Sequence, residues 1–198
     1  MLVCLASRIG IVAVLAAATA SAFSQAVPAA TEGGLPFSIG GGASSMDVDW
    51  GHGRMLGGTL WFEYTPGFVP PIMRGIGLEA EARDINYDRG TQPSNFRQDT
   101  AGLGPMFTWR HYPNFRPYAK VLAEYGSFDF TTPYPSYSHD TRTLAVFGGG
   151  VEVRAYHHIW IRADYEYQAW QTLLGGIPDP QGFTLGLKYD FRAYHRRY

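Results

Sequence analysis

Alternation between apolar and polar side chains recurs through most of this chain. In the run 159–170, Ile159, Ile161 and Ala163 alternate with Arg162 and Asp164. Period-two alternation is typical of a strand with one apolar and one polar face. Eight such runs cover residues 36–45, 55–65, 75–87, 100–111, 117–128, 141–155, 159–170 and 182–191. Each has about the length that a tilted strand needs to cross a bilayer, roughly nine to eleven residues.

The connections between the runs differ in length. Those after the second, fourth and sixth runs have about eight, five and four residues, and the others have about nine to twelve. Short turns at one end and longer loops at the other are typical of membrane barrels, and an even strand number brings both termini to the periplasmic end. The sequence therefore predicts an all-β fold, an eight-stranded antiparallel up-and-down transmembrane β-barrel.

The polar faces of the predicted strands are strongly ionic. They carry fourteen charged residues: Glu63, Glu79, Glu81, Arg83, Arg110, Lys120, Glu124, Glu152, Arg154, Arg162, Asp164, Glu166, Lys188 and Asp190. The interior of an eight-stranded barrel is about wide enough for side chains to fill it. We therefore predict an ionic network in the lumen. The alternative is a narrow water or ion path with a slight cation preference, because eight of these residues are acidic and six basic.

Aromatic residues collect at the two ends of the apolar faces. One band contains Phe62, Tyr64, Phe107, Trp109, Tyr189 and Phe191, and the other contains Tyr87, Tyr125, Tyr165 and Tyr167. Amphipathic rings favour the two membrane interfaces. The apolar faces are thus predicted to face lipid, whereas a soluble exported barrel would bury them. On this facing, arginine at Leu187 should cost about 2–4 kcal/mol and glutamine at Lys188 less.

The N-terminal segment has the pattern of a signal peptide. Arg8 precedes an apolar run, residues 9–18, and Ala20-Ser21-Ala22 matches a small-x-small cleavage site. We predict a signal peptide at 1–22, a lead-in at 23–35, the barrel at 36–191 and a tail at 192–198. The single cysteine, Cys4, falls in the signal peptide, so disulfides and thiolate sites are not expected afterwards. A net charge of −1 gives no indication of a nucleic-acid partner.

The last run contains Gly186, Tyr189 and Phe191 in the order Gly-x-x-aromatic-x-aromatic. This is similar to the assembly signal of the small outer-membrane barrels typified by the OmpA transmembrane domain and OmpX, which the chain resembles from about Phe37 to Phe191. The resemblance implies a bacterial outer-membrane protein, surrounded by lipid, whose biogenesis uses periplasmic chaperones and a barrel-assembly machinery that reads these residues. The seven residues after Phe191 are a departure, since the last aromatic usually ends the chain.

No catalytic, cofactor-binding or metal-binding residue is predicted. The expected role is non-enzymatic: structural support of the outer membrane, or interaction with an unknown surface partner through the longer loops. An outer-membrane lipid-modifying enzyme remains an alternative, because His139 and Asp140 lie close to Ser136 and Ser138. A Ser/His/acid site depends on geometry that a loop sequence does not give.

Overall fold

Eight antiparallel strands close into a barrel in chain order in the computed structural model. The structure describes residues 34–47, 54–66, 75–87, 96–130, 138–170 and 179–192. The strands are β1 (Gly34–Asp47), β2 (Arg54–Tyr64), β3 (Ile76–Tyr87), β4 (Phe96–Thr108), β5 (Phe115–Phe130), β6 (Ser138–Tyr156), β7 (Ile159–Trp170) and β8 (Gln181–Arg192). In these ranges no helix is long and apolar enough to span a membrane. Residues Pro36–Phe191 form one compact unit, and the predicted fold class is confirmed.

Each predicted run forms one strand, but several strands extend further than predicted. β4 begins at Phe96 rather than Thr100, and β6 begins at Ser138 rather than Thr141. The ladder continues there, since Asp99 pairs with Ser127 and Asp129 pairs with His139. We call the end of the barrel opposite the two termini the loop end. The connections there have six, eight, seven and ten residues. Those at the terminal end, where β1 begins and β8 ends, have eleven, six and two, so the predicted difference in length is weaker than expected.

The two faces of the wall differ as the alternation predicts. Leu60, Leu103 and Leu185 on the outside are more than 60% exposed, whereas Glu79 and Glu152 on the inside are fully buried. A soluble protein has the opposite arrangement, with charged side chains almost never buried unless they are paired. This arrangement contradicts the alternative of a soluble barrel whose apolar faces form a core.

Pro105 lies on the outer wall of β4 without a bulge. Leu103 pairs with Ala123 and Met106 pairs with Lys120, so the register is the same on both sides of the proline. The ladder of β4 and β5 therefore accommodates the proline without a change of register. The irregularity occurs instead between Arg154 and Tyr156, where β6 ends before a two-residue turn.

The barrel closes where β8 meets β1, which we call the seam. The hydroxyl oxygens of Ser44 and Thr184 lie 2.7 Å apart across it. At the terminal end, the Phe37 ring contacts Phe191, with centroids 4.9 Å apart, and Phe62, with centroids 5.5 Å apart. Aromatic contacts thus join the last strand to the first two.

Candidate functional site

Lys120 is the centre of a buried cluster in the barrel interior. Its ammonium lies 2.9 Å from Glu79, 2.5 Å from Glu81 and 2.8 Å from Asp164, and it also pairs with Glu166. Residues i and i+2 of a strand share a face, so β3 and β7 each supply two carboxylates. Glu79, Glu81 and Asp164 lie close enough together to hold a metal ion. The Lys120 nitrogen takes the position that such an ion would need.

Arg162 on β7 donates hydrogen bonds to side chains of three other strands, β2, β3 and β5. Its guanidinium donates to Glu63 at 3.1 Å and to Glu79 at 2.7 Å, and its Nε donates to the Tyr118 hydroxyl at 2.6 Å. The same group packs on two rings, 4.7 Å from the Trp61 ring centroid and 4.4 Å from that of Tyr118. Cation–π contacts of this kind are strongest when the cation is shielded from water.

Arg83 links two carboxylates on opposite sides of the lumen. Its Nη2 donates to Glu81 at 2.5 Å and also to Glu166, while its Nε donates to Thr59 at 2.9 Å. Glu124 is buried on β5, two strands away from β3, and interacts electrostatically with Arg83. Charged side chains therefore join β3 to β5 and, across the lumen, to β7.

Lys188 on β8 pairs with Glu63, 2.9 Å from its Oε2, and with Glu152. We call the whole cluster the ionic layer: Glu63, Glu79, Glu81, Arg83, Lys120, Glu124, Glu152, Arg162, Asp164, Glu166 and Lys188. Removing one partner of a buried pair costs several kcal/mol, because it leaves an uncompensated charge in a poorly solvated place. The layer therefore fixes the strands relative to one another.

Three of the fourteen predicted lumen residues lie apart from this layer, near the terminal end. Arg110 donates to the Thr65 hydroxyl at 3.0 Å. The Arg154 guanidinium lies 4.8 Å from the Trp160 ring centroid, and Asp190 pairs with Arg116 at 3.2 Å. Arg116 is not among the predicted lumen residues, because the alternation of the fifth run begins at Pro117.

A cluster of apolar side chains fills much of the loop-end part of the interior, which the alternation does not predict. We call this cluster the apolar cap; it consists of Met46, Met55, Ile85, Leu122, Phe128, Leu144, Val146 and Trp170, all buried. The rings of Phe128 and Trp170 have centroids 4.5 Å apart. Nearby, Gln98 donates an amide hydrogen bond of 2.6 Å to Gln168. The run Leu144 to Phe147 is apolar at every position, so alternation could not reveal the cap.

The predicted assembly-signal residues lie at the seam. Gly186 lies against Gly41, and a Cβ added to it would lie 2.6 Å from the Trp61 ring. Tyr189 is exposed on the outer wall, and its ring contacts Phe191 at a centroid distance of 4.7 Å.

Eight of the ten predicted girdle residues are exposed on or next to the outer wall: Phe62, Tyr64, Phe107, Trp109, Tyr125, Tyr165, Tyr167 and Tyr189. Phe191 is half-buried. The Tyr87 side chain lies outside the described residues.

His139 does not pair with Asp140. Its Nδ1 lies 2.5 Å from the Asp129 carboxylate across the β5–β6 ladder, and its Nε2 lies 3.0 Å from the Thr141 hydroxyl. Asp140 instead accepts a hydrogen bond from the Thr141 amide. Ser136 and the side chain of Ser138 lie outside the described residues. The imidazole is about half exposed on the outer wall.

The family comparison identifies the class of this barrel. The family described as outer membrane protein beta-barrel domain matches residues 11–191, which is most of the chain. No curated protein sequence matches the chain.

Solved outer-membrane proteins share the fold. Neisserial surface protein A (NspA) aligns with a TM-score of 0.63 and 12% identity over 80% of this chain and 99% of its own. OprG from Pseudomonas aeruginosa gives 0.57 and 15% over 81% and 98%. Ail, the attachment invasion locus protein of Yersinia pestis, gives 0.53 and 19% over 77% and 95%. Another Ail structure is a complex with the heparin analogue sucrose octasulfate.

The closed barrel, its apolar outer wall and the match over residues 11–191 lead to one conclusion. The chain belongs to the outer membrane protein beta-barrel domain family.

Proposed function

We propose that this protein is a non-enzymatic and non-conducting barrel that supports the outer membrane and presents its loop end to a surface partner. The observation that carries the proposal is the filled interior, where the ionic layer and the apolar cap meet and overlap: Leu122 of the cap lies between Lys120 and Glu124 on the inward face of β5. Charges of the ionic layer pair with one another across the lumen, as Lys120 does with four carboxylates. A hydrated ion would also have to pass the apolar side chains of the cap, among which Gln98 and Gln168 are already hydrogen-bonded to each other, and loss of hydration there is costly.

Single-channel recording tests the absence of conduction. The mature chain, refolded and inserted into a planar bilayer, should give no unitary current steps under conditions in which a general porin gives them. Lys120→Met supplies the matched variant, because it removes the central cation of the ionic layer. Reproducible steps in the wild type whose size changes in Lys120→Met would contradict the proposal.

The charges at the loop end indicate what kind of surface partner fits. The described residues there include six aspartates, Asp47, Asp84, Asp99, Asp129, Asp140 and Asp179, and three arginines, Arg54, Arg97 and Arg142. A sulfated polyanion such as the heparin analogue bound by Ail is attracted to a basic surface. We therefore infer a neutral or cationic partner. The refolded barrel should pass through a heparin column at physiological salt, and retention there would contradict this inference.

Biogenesis is the third part of the proposal. The protein is exported through a signal peptide at 1–22, escorted by periplasmic chaperones and inserted by the assembly machinery through Gly186, Tyr189 and Phe191. Deleting residues 192–198 makes Phe191 the last residue and should leave insertion intact. Insertion is measured as the heat-modifiable gel shift of the outer-membrane fraction. Failure of the truncated chain to insert, with normal refolding in detergent, would show that the signal is wrongly assigned.

A further inference from the structure

The ionic layer contains more acidic than basic side chains. All of its members are buried, and they comprise seven carboxyl groups and four cations, Arg83, Lys120, Arg162 and Lys188. A buried group keeps its charge only where an opposite charge or hydrogen bonds compensate for the lost solvation. With every member ionised, three carboxylates would exceed the cations of the layer. The layer therefore has room to bind additional positive charge.

Glu124 is the carboxyl group of the layer that has no ion pair. The other six each pair with at least one of the four cations. The cations whose charge acts on Glu124 are Arg83 and Lys120. Both of them pair with Glu81 and Glu166 instead. Glu124 is only 3% exposed, and no described residue forms a well-placed hydrogen bond with either of its oxygens.

The inner wall around Glu124 supplies no further cation. In the ladder it is opposite Gly102 of β4 and Leu144 of β6. Its side chain lies over Gly102, where an added Cβ would be 2.5 Å from the Glu124 Cγ. Leu122, two residues earlier on β5, belongs to the apolar cap. Arg116 at the terminal end is eight residues away on the same strand, which is about 26 Å at 3.3 Å per residue.

The groups that face Glu124 from the other strands favour its neutral form. They are Arg83 of β3, Thr100 of β4 and Glu166 of β7, in addition to Lys120 of its own strand. The negative charge of Glu166 disfavours a second carboxylate beside it. A neutral carboxylic acid also gains an O–H donor. The Thr100 hydroxyl is buried without a well-placed hydrogen bond from the described residues, and it can accept from that donor.

A proton suits this position better than a metal ion. Metal ions that bind carboxylates take several oxygen ligands. Among the described residues, the carboxylates close enough together for that are Glu79, Glu81 and Asp164. The Lys120 ammonium already lies 2.5–2.9 Å from these three groups, and Glu124 is not one of them. A proton needs only one carboxylate oxygen.

We propose that the folded barrel binds a proton at Glu124, which is then a neutral carboxylic acid that donates to the Thr100 hydroxyl. In the unfolded chain the same side chain is in water and releases its proton near pH 4.3, at about the value of a free glutamate. Folding at neutral pH therefore takes up a proton. The sign follows from this difference: the site stabilises the barrel most at low pH, and its contribution decreases as the pH rises above about 4.3.

The pH dependence of unfolding tests the proposal. The refolded barrel in zwitterionic lipid vesicles is unfolded with urea at pH 5, 6 and 7. Glu124→Gln keeps the shape of the neutral acid but has no proton to release. The unfolding equilibrium constant of the wild type, divided by that of Glu124→Gln, should rise at least about tenfold from pH 5 to pH 7. One released proton changes this constant by up to about tenfold per pH unit.

Glu79→Gln is the matched control, because Glu79 is equally buried but lies 2.9 Å from Lys120 and 2.7 Å from Arg162. A carboxylate with two ion pairs is ionised in the folded and the unfolded chain over this range, so the same ratio for Glu79→Gln should stay constant. Infrared spectroscopy supplies a second readout that does not depend on the control. At neutral pH the wild type should show the carbonyl stretch of a buried carboxylic acid, and Glu124→Gln should lose intensity in that band.

Each measurement has an outcome that overturns the proposal. One is a ratio for Glu124→Gln that does not change between pH 5 and pH 7. Another is a carboxylic-acid band of equal intensity in the wild type and in Glu124→Gln. The third uses tetramethylammonium chloride in place of sodium chloride at pH 7. If this exchange destabilises the wild type but not Glu124→Gln, a metal cation rather than a proton compensates the carboxylate.

Discussion

Replacing Lys188 by glutamine should destabilise the barrel by about 3–5 kcal/mol. Lys188 is 1% exposed, and its ammonium lies 2.9 and 3.0 Å from the two oxygens of Glu63 and also contacts Glu152. At about 3 Å and an effective dielectric of about 20, each attraction is worth about 5 kcal/mol before desolvation. Glutamine removes both attractions and leaves two buried carboxylates close together. Glutamine also avoids the cost of desolvating an ammonium group. The net loss of stability is therefore smaller than the sum of the two attractions, about 3–5 kcal/mol.

The ion pairs of Lys188 change the prediction made from alternation alone, which was that glutamine at Lys188 would cost less stability than arginine at Leu187. Leu187→Arg still places a charge on the outer wall, where Leu187 is 59% exposed. Leu187 is two residues from Tyr189 of the aromatic band, so the cost should fall near the lower end of about 2–4 kcal/mol, since the penalty decreases toward the interface.

A second substitution distinguishes the loss of the Lys188 ion pairs from the placement of a charge on the outer wall at Leu187. Glu152→Gln added to Lys188→Gln removes the carboxylate that lost its ammonium partner, while Glu63 keeps its hydrogen bond from Arg162, so about half of the lost stability should be recovered. Glu152→Gln added to Leu187→Arg should recover none. Free energies are measured by urea unfolding in lipid vesicles, followed by tryptophan fluorescence and by the heat-modifiable gel shift. Our reasoning is refuted if Lys188→Gln costs no more than the exposed change Arg54→Gln, or if Glu152→Gln fails to rescue it.

Three further outcomes are expected. Gly186→Ala should impair folding, because the new Cβ would lie 2.6 Å from the Trp61 ring and would also clash with the Gly41 carbonyl. Gly58→Ala is the control and should fold normally, because the nearest atom to its new Cβ would be 3.8 Å away. Equal refolding yields of the two variants would contradict this prediction. Trp170→Ala should lower the free energy of unfolding by about 3–5 kcal/mol through the cavity left in the apolar cap, and urea titration showing a loss below about 1 kcal/mol would mean the cap is loosely packed. His139→Ala should leave the lipid composition of the outer membrane unchanged, and altered acyl chains by mass spectrometry would revive the enzyme alternative.

The strands could be predicted from sequence wherever the lumen is charged. Along β7, charged Arg162, Asp164 and Glu166 alternate with residues that face lipid, so both the strand and its facing follow from the pattern. Along the loop-end part of β6, Leu144 and Val146 point inward while Ala145 and Phe147 point outward. Both faces are apolar there, so apolar and polar side chains no longer alternate along the strand. Alternation shows which side chains of a strand point inward only where the lumen side and the lipid side of the strand differ in polarity.

The partners of each charge could not be predicted. Lys120 and Glu166 are on different, non-adjacent strands, and their contact depends on how widely the closed barrel separates β5 from β7. The composition of the ionic layer followed from strand facing, but the contact between the Arg116 guanidinium and the Trp160 ring did not, because it joins β5 and β7 across the inner face of β6.

The seam has a consequence for the order of folding. Every other strand pair joins neighbours in the sequence, whereas Ser44 and Thr184 meet across 140 positions. The entropy lost on closing a loop grows with its length, so local hairpins should form early and the seam last. Until then the chain is an open curved sheet with two unpaired edges, β1 and β8, which are prone to pair with other chains. Substitutions at Gly186 or Phe191 should therefore slow closure without slowing hairpin formation, and the chains that stall should be the ones that aggregate.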